Sequence, residues 1–509
     1  MKKYNFSFIL ILLLLFLLGI VVRLAPLFDS LRLLYSITDD GYYMLTIARN
    51  IAMGNGMSIS NGIVATNGTQ PLFTFLLSII YLIVNFDKIS AIKFVVLLQF
   101  LISASTSYLL YKLSLAAMKD YKNGHKIALL SSAVWFCNPL MIVNTTNGLE
   151  TGLYAFSVLF SVWLIVFKIQ TLNYKNSIFL GIIFGVLFWI RNDAELLVIA
   201  VFIYYLFFYK DDNLKMPQIF LRLFVMGFAA LLFTLPWLIF NKINFGDFIP
   251  ISGQAESVVS KFGGNLIFFP STITEYLLVI VPIPYNFKIK LFVIIFTSLF
   301  VSIIFSLLLN IYKKFYAKQK ALFIICFVFL IELFIIYGLF FETYYFVSRY
   351  LFPLSTFFIL LWSVIAFKLF DKIKFKLIKY VIGLIFIVII AAISWIRFNQ
   401  GLEHKHFQLV SWIQQNVKDD EWVGASQSGT IGYFHDKTVN LDGKVNPEAL
   451  KALKDGGESK LLEYIAAKKI DYLMDWASLR EWKNHDIIMK NYNLIVEDTV
   501  NDITVFKRK

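Results

Sequence analysis

Long stretches without a single charge constrain this chain more than any other feature. Phe8–Val22, Leu291–Leu309 and Val381–Ile393 contain no charged residue. Each lies in a segment able to cross the roughly 30 Å hydrocarbon layer as a helix of about 20 residues. Backbone in hydrocarbon must satisfy its hydrogen bonds internally, so only helices and closed barrels span it. These runs are continuously apolar, without the alternation of barrel strands, which selects helices. Only 16% of the 509 residues are charged, where a soluble domain carries about a quarter. The expected fold class is a polytopic α-helical membrane protein.

Apolar segments recur near 7–27, 71–86, 91–112, 126–143, 151–168, 175–190, 194–209, 217–240, 287–311, 320–341, 350–369 and 377–396. Met1-Lys2-Lys3 precedes the first. No small-residue cleavage site follows it, so it is expected to be a retained helix with a cytoplasmic N-terminus. Basic linkers at Lys168–Lys175, Lys210–Lys215, Lys313–Lys320 and Lys368–Lys376 mark the cytoplasmic side by the positive-inside bias. The loops 28–70, 144–150, 191–193, 241–286 and 342–349 then share the other side with the C-terminus. Twelve crossings would break that arrangement, and the conflict localises to 71–125. Either Pro71–Phe86 fails to cross fully or a further crossing is hidden there, so 11 or 13 transmembrane helices are expected.

From about 397 the composition turns to that of a soluble domain. The pattern predicts helices over Phe407–Val417 and Ser459–Lys469. It predicts strands over Trp422–Ala425, Thr438–Leu441, Ile470–Leu473, Asn493–Glu497 and Ile503–Lys507. The expected division is a membrane module at 1–396, with its first extracytoplasmic loop at 28–70, and a small extracytoplasmic α/β domain at 397–509. The formal net charge of +14 does not mark a nucleic-acid partner. Residues 397–509 carry 16 basic and 17 acidic side chains, so the excess lies between membrane helices, whereas a nucleic-acid surface clusters it on one soluble face. Cys137 and Cys326 both fall inside apolar helices and form neither a disulfide framework nor a metal site. The histidines, among them His404, His406 and His485, show no zinc spacing. Gly424–Gly429 lacks the Lys-Ser/Thr ending of a phosphate loop and reads as a strand-to-turn connection. Asn67-Gly68-Thr69 and Asn144-Thr145-Thr146 match the glycosylation pattern, a signal too common to use.

Chemistry concentrates outside the apolar runs. Thr38-Asp39-Asp40-Gly41-Tyr42-Tyr43 follows the first helix. Two adjacent carboxylates at a membrane surface repel one another, and one should have a raised pKa. Such a group can deprotonate a hydroxyl or hold a cation. A helix N-cap is the plainer account, but it needs one Asp. Tyr42–Met53 has the spacing of an amphipathic helix at the interface. Ala65–Pro71, containing Asn67 and Gln70, reads as a polar turn into a helix with Pro near its first position. At the same level lie Asn147-Gly148-Leu149-Glu150-Thr151, Arg191-Asn192-Asp193-Ala194-Glu195 and Ser348-Arg349-Tyr350. Ionisable groups near hydrocarbon are functional candidates, with a local Arg191–Asp193 ion pair and interfacial snorkelling of Arg349 as the structural alternatives. Carboxylates and arginines converging on one side suit a phosphate-bearing amphiphile, because arginine's planar fork matches phosphate oxygens.

The segment Thr38–Pro71 resembles the first extracytoplasmic loop of GT-C-fold glycosyltransferases, above all bacterial relatives of the protein O-mannosyltransferase and aminoarabinose-transferase group. NGLET at 147–151, RNDAELL at 191–197, PWLIFNKINFGDFIP at 236–250 and SRYLFPL at 348–354 resemble later markers, so the likeness covers 1–370 in order. The stretch GASQSGTIGYFHDKTVNLDGKVNPEAL resembles tails found on such proteins. The resemblance implies a GT-C-type fold in the plasma membrane and a polyprenyl-phosphate-linked sugar donor. It also implies an inverting transfer to a glycan, lipid or protein acceptor on the outer face. It casts Asp39 as the leading catalytic carboxylate with Asp40 its partner. Arg191, Arg349 and Tyr350 would meet the donor phosphate, while Glu150, Asp193, Asn67 and Gln70 would orient sugar or acceptor. A divalent cation (Mg or Mn) at Asp39 and Asp40 stays open. The competing classes are a secondary transporter or flippase of a lipid-linked saccharide and an O-antigen-type polymerase or ligase. Against a transporter stand the lack of an internal repeat and the placement of polar groups at loop level.

Overall fold

The computed structural model describes residues 6–210, 214–258, 261–278, 283, 285–313, 315–341, 347–400, 405–500 and 503–509. Parts of the expected linkers 210–215 and 313–320 and loops 241–286 and 342–349 lie outside the described residues, as do His404 and the side chain of His406.

All twelve apolar segments form helices, and one more apolar helical stretch, Leu266–Leu278, lies within 241–286. Among the described residues, eight helices are long and apolar enough to cross a membrane, or nine if the bent pair Gly124–Cys137 and Pro139–Thr145 counts as one span. Pro71–Ile83, Tyr174–Ile190, Ala194–Phe208 and Leu266–Leu278 are shorter. The 13 residues of Pro71–Ile83 reach about 20 Å at the helical rise per residue, less than the hydrocarbon thickness. Only 22% of the Met216–Phe245 window and 11% of the Leu291–Leu309 window is buried inside the protein. These two apolar helices therefore face largely outward, an arrangement that hydrocarbon stabilises and water does not.

Inside the bundle, buried polar groups are matched in part. Arg23, fully buried near the end of the first helix, Phe6–Leu24, donates from Nε to the Phe136 carbonyl (3.1 Å) and from Nη1 to Ser103 Oγ (3.0 Å) and Thr145 Oγ1 (2.6 Å). This fixes where the chain leaves the bundle to begin its first loop. The loop contains the helices Ser30–Tyr35 and Asp39–Ala52 and a small hairpin, β1 (Ser58–Ile59) with β2 (Val64–Ala65), before Pro71 opens the next helix.

The C-terminal domain is built on a five-stranded sheet of β3 (Val423–Ala425), β4 (Thr438–Asn440), β5 (Tyr472–Trp476), β6 (Tyr492–Asp498) and β7 (Ile503–Arg508), in the order β4-β3-β5-β7-β6. β3 runs parallel to β4 and β5, and β7 antiparallel to β5 and β6. Alternation sets the two faces. Tyr472, Met474 and Val505 pack with the helix Lys405–Asn416 on one side, while Leu473 and Phe506 pack with Pro447–Lys468 on the other. The expected helix Ser459–Lys469 is the second half of Pro447–Lys468, which kinks at Gly456 and Gly457 where the backbone is non-helical. Gly424–Gly429 departs from the expected strand-to-turn connection, because a short helix, Gly429–Phe434, opens at its end.

Candidate functional site

Thr38 begins the site. Its backbone is extended and its Oγ1 accepts from the Gly41 N–H (3.2 Å), so Thr38, and neither aspartate, caps the helix Asp39–Ala52. The Thr38 hydroxyl and N–H both donate to the Asn147 carbonyl (3.0 and 3.1 Å), tying the Asn147–Thr151 loop to the helix start. Released from capping, Asp39 and Asp40 leave the helix about 100° apart, as consecutive residues do.

Asp40 faces a cavity of about 480 Å³, where its Oδ2 accepts from Arg349 Nη1 at 2.9 Å. Burial pushes its carboxyl up, but the charges of Lys444 and Arg349 outweigh burial and hold it below the ordinary carboxylate value. Asp39 is 8% exposed and lies outside the cavity lining. Its Oδ2 accepts from the Gly429 N–H (3.1 Å) and its Oδ1 from the Thr430 N–H (2.7 Å), the first free donors of the short helix in the C-terminal domain. Burial raises its carboxyl above the ordinary value, with Asp40 adding to the rise while the Thr430 and Gly429 donors oppose it. Helical spacing thus turns Asp40 to the cavity and Asp39, the residue expected to lead the pair, to the sheet domain.

The other expected residues fall into two groups. Gln70, Glu150, Arg191, Asp193, Arg349 and Tyr350 line the cavity with Asp40. Asn67 does not; its amide donates to Asn241 Oδ1 (3.0 Å) and accepts from the Ile251 N–H (3.0 Å), stitching the turn to the 241–251 stretch. Arg191 grips Asp193 through Nε and Nη2 (3.0 and 2.9 Å) and Glu150 through Nη1 (3.2 Å). The Tyr337 hydroxyl donates to Asp193 Oδ2 (2.6 Å), and its ring stacks on Tyr350 at 3.9 Å. The Arg191 guanidinium stands 5.7 Å over the Tyr350 ring. Arg191 therefore serves as the keystone of a buried network. Removing one partner of a buried ion pair costs about 3–5 kcal/mol, so Arg191→Ala is expected to lower stability by that order, read as a shift of the thermal unfolding curve in detergent. An unshifted curve would show that the network carries no weight.

Sequence reasoning missed Lys444, Glu256, Asn192 and Tyr337 in the cavity wall. Lys444 carried a signal: Asp442-Gly443-Lys444 follows β4, and open α/β sheets place ligand-binding residues at the carboxyl ends of parallel strands. Tyr337 sits in an apolar run and carried none. Gln70 Oε1 and Asn192 Oδ1 are buried with no hydrogen-bond partner among the described residues, leaving acceptors for a polar ligand. A divalent cation at the acidic pair does not fit the donor set. The two carboxylates diverge, Asp40 already has Arg349 and Lys444 beside it, and no group of three His, Cys, Asp or Glu among the described residues is placed to hold a metal ion. Elsewhere on the helices Pro71–Ile83, Tyr174–Ile190 and Met216–Phe245, the residues Leu72, Val186, Trp189, Leu232, Phe233 and Pro236 line an apolar groove of about 530 Å³.

The first loop and the C-terminal domain touch extensively, which places them on the same side of the membrane. Tyr43 Oη accepts from the Ser428 N–H (2.9 Å) and Asn440 Nδ2 (3.0 Å). The Tyr433 and Tyr81 hydroxyls meet at 2.8 Å, and Asp436 pairs with Lys88 (3.0 Å) and Arg49 (3.4 Å).

Residues 394–506 match the family described as Domain of unknown function (DUF8728). No curated protein matches the chain in sequence. Among solved structures the chain is similar to ArnT, an aminoarabinose transferase, from Cupriavidus metallidurans. Against ArnT bound to undecaprenyl phosphate the TM-score is 0.59 at 11% identity, over 97% of this chain and 97% of that one. It is also similar to the Archaeoglobus fulgidus oligosaccharyltransferase in its apo form, with a TM-score of 0.55 at 12% identity over 97% of this chain and 73% of that one. The latter protein has also been crystallised as a complex with Zn and sulfate, with a TM-score of 0.53 at 13% identity over 98% of this chain and 73% of that one. With the membrane helices, the loop after the first helix and the C-terminal sheet domain in one arrangement, the chain has the fold of the GT-C glycosyltransferases.

Proposed function

We propose that this protein is a membrane glycosyltransferase that moves a sugar from a polyprenyl-phosphate-linked donor to an acceptor outside the cytoplasm. The observation that carries the reading is Asp40: a carboxylate held below its ordinary value that lines one cavity with the cations Arg349 and Lys444, while an apolar groove on the helices offers room for an isoprenoid chain. The fold shared with an enzyme bound to undecaprenyl phosphate supports the same donor class. In the proposed step Asp40 takes the proton of the acceptor hydroxyl as its oxygen attacks the anomeric carbon. The bond from that carbon to the phosphate oxygen breaks, the electron pair leaves on the phosphate, and the configuration inverts. Cations placed where charge develops stabilise the departure. Gln70 and Asn192 offer acceptors to sugar hydroxyls, and the Arg191 network fixes the wall against which the sugar lies. The cavity opens on the extracytoplasmic side of the plasma membrane, with the N-terminus in the cytoplasm.

The test is to identify, by mass spectrometry, lipids that co-purify with the protein, and then to supply them with candidate acceptors in proteoliposomes. Appearance of a glycosylated acceptor and free polyprenyl phosphate is expected. Movement of the intact glycolipid across the bilayer without cleavage would overturn the reading in favour of a transporter.

A further inference from the structure

Lys444 and Val445, shortly after β4, form part of the cavity wall. A Cβ placed on Gly68 would lie 2.1 Å from the Lys444 carbonyl oxygen, so the first loop and this stretch meet backbone to backbone, with no room for a side chain. Val445 is buried among Tyr43, Ile47 and Ile59. Lys444 then extends into the cavity, its Nζ 3.3 Å from Glu256.

Three basic side chains line that cavity, and they differ in what they offer an incoming anion. The Arg191 side chain is 7% exposed beneath Glu150 and Asp193. Those of Arg349 and Lys444 are 21% and 22% exposed. An anion entering the cavity therefore meets Arg349 from the membrane module and Lys444 from the C-terminal domain. Lysine suits such a place, because its compact ammonium group has three donors and can keep Glu256 while gaining a phosphate oxygen.

We propose that the C-terminal domain is part of the catalytic centre: Lys444 binds the phosphate of the lipid-linked donor together with Arg349, and Asp39 is the positioning residue that holds the domain where Lys444 can reach it. The inference rests on the donor class proposed above. It explains why an anionic side chain that does not face the cavity is spent on two backbone N–H groups of a distant domain. It also divides the acidic pair by task, Asp40 for the chemistry and Asp39 for the assembly.

The experiment is a titration of the full-length protein in detergent with undecaprenyl phosphate, followed by tryptophan fluorescence. Lys444→Met is expected to weaken binding about tenfold, Lys444→Arg to stay within about twofold of the wild type, and Lys490→Met, a like charge change at a remote exposed site, to change nothing. Asp39→Asn is expected to weaken binding as Lys444→Met does. The double variant should be no weaker than either single one, because both remove the same contact and their effects do not add; a merely structural Asp39 would give additive losses. Should Lys444→Met fail to fold, Lys444→Gln, which keeps a polar reach to Glu256, takes its place. Wild-type binding that Lys444→Met leaves intact overturns the role of Lys444 alone. Failure of the wild type to bind overturns the donor class itself, and this inference with it.

Discussion

Asp40→Asn is expected to lower sugar transfer by about 10²–10⁴-fold, the span that a positioned general base contributes, while undecaprenyl phosphate still binds. The amide keeps the size of the carboxylate and can still accept from Arg349, so the cavity wall should persist and the loss should fall on turnover. Lys444 and Arg349 keep Asp40 ionised despite its burial, so the proton it accepts is offered to a base ready at neutral pH. The sign follows from that shift. Activity requires the ionised form, and the carboxyl is held below its ordinary value of about 3.9. The rate should therefore stay level as the pH drops from 7 to about 5 and fall only in stronger acid. Measured turnover in Asp40→Asn equal to the wild type would remove Asp40 from the reaction. A rate that already halves near neutral pH would place the titrating group elsewhere.

The second large effect is expected from one methyl group. A Cβ on Gly429 would meet the Asp39 carbonyl oxygen at 2.0 Å and its carbonyl carbon at 2.8 Å, both backbone atoms that no rotamer change can move aside. Gly429→Ala should therefore push the short helix off Asp39 and break both N–H contacts to its carboxylate. Overpacking of this kind costs about 1–3 kcal/mol, and losing hydrogen bonds to a charged group adds about 1.5–3 kcal/mol for each. Gly432 lies one turn along the same helix, and a Cβ there has its nearest contact at 3.6 Å. Gly432→Ala is thus the matched control. Limited proteolysis should cut between the last membrane helix and the sheet domain far faster in Gly429→Ala than in Gly432→Ala, and transfer should fall with it. Equal cleavage and equal activity in the two would refute the docking described here.

How far the sequence announced these features depends on the range over which each signal acts. The membrane helices were legible because uncharged length is a local property, and all twelve expected segments are helical. The strands β3, β4, β6 and β7 lie where their local pattern placed them, whereas the strand expected over Ile470–Leu473 runs as β5 from Tyr472 to Trp476. The acidic pair was legible as chemistry but its division of labour was not. Which aspartate faces the cavity depends on the rotation of the Asp39–Ala52 helix, and this is set by Thr38 binding Asn147 and by Tyr43 binding Ser428 and Asn440, contacts far apart in the chain. Asn67, expected near the substrate, shows the same limit: its amide is used by Asn241 and Ile251. Gly424–Gly429 reads as a strand-to-turn connection, yet a short helix opens at its end and its first N–H groups receive the carboxylate of Asp39. Lys444 carried only the signal of its place after β4, because its meeting with Glu256 and the first loop joins residues far apart in the chain.

The clasp between Asp39 and the Gly429–Phe434 helix has a consequence for how the protein is made. Asp39 leaves the ribosome 390 residues before its partner Gly429, so the first loop must wait until that long intervening stretch has followed. During that interval the carboxylate has no N–H groups to receive it and the cavity lacks the wall that carries Lys444. The cavity thereby stays incomplete in every chain whose synthesis has not passed Lys444. A molecule interrupted before the sheet domain would sit in the bilayer with its helices in place and its chemistry unassembled.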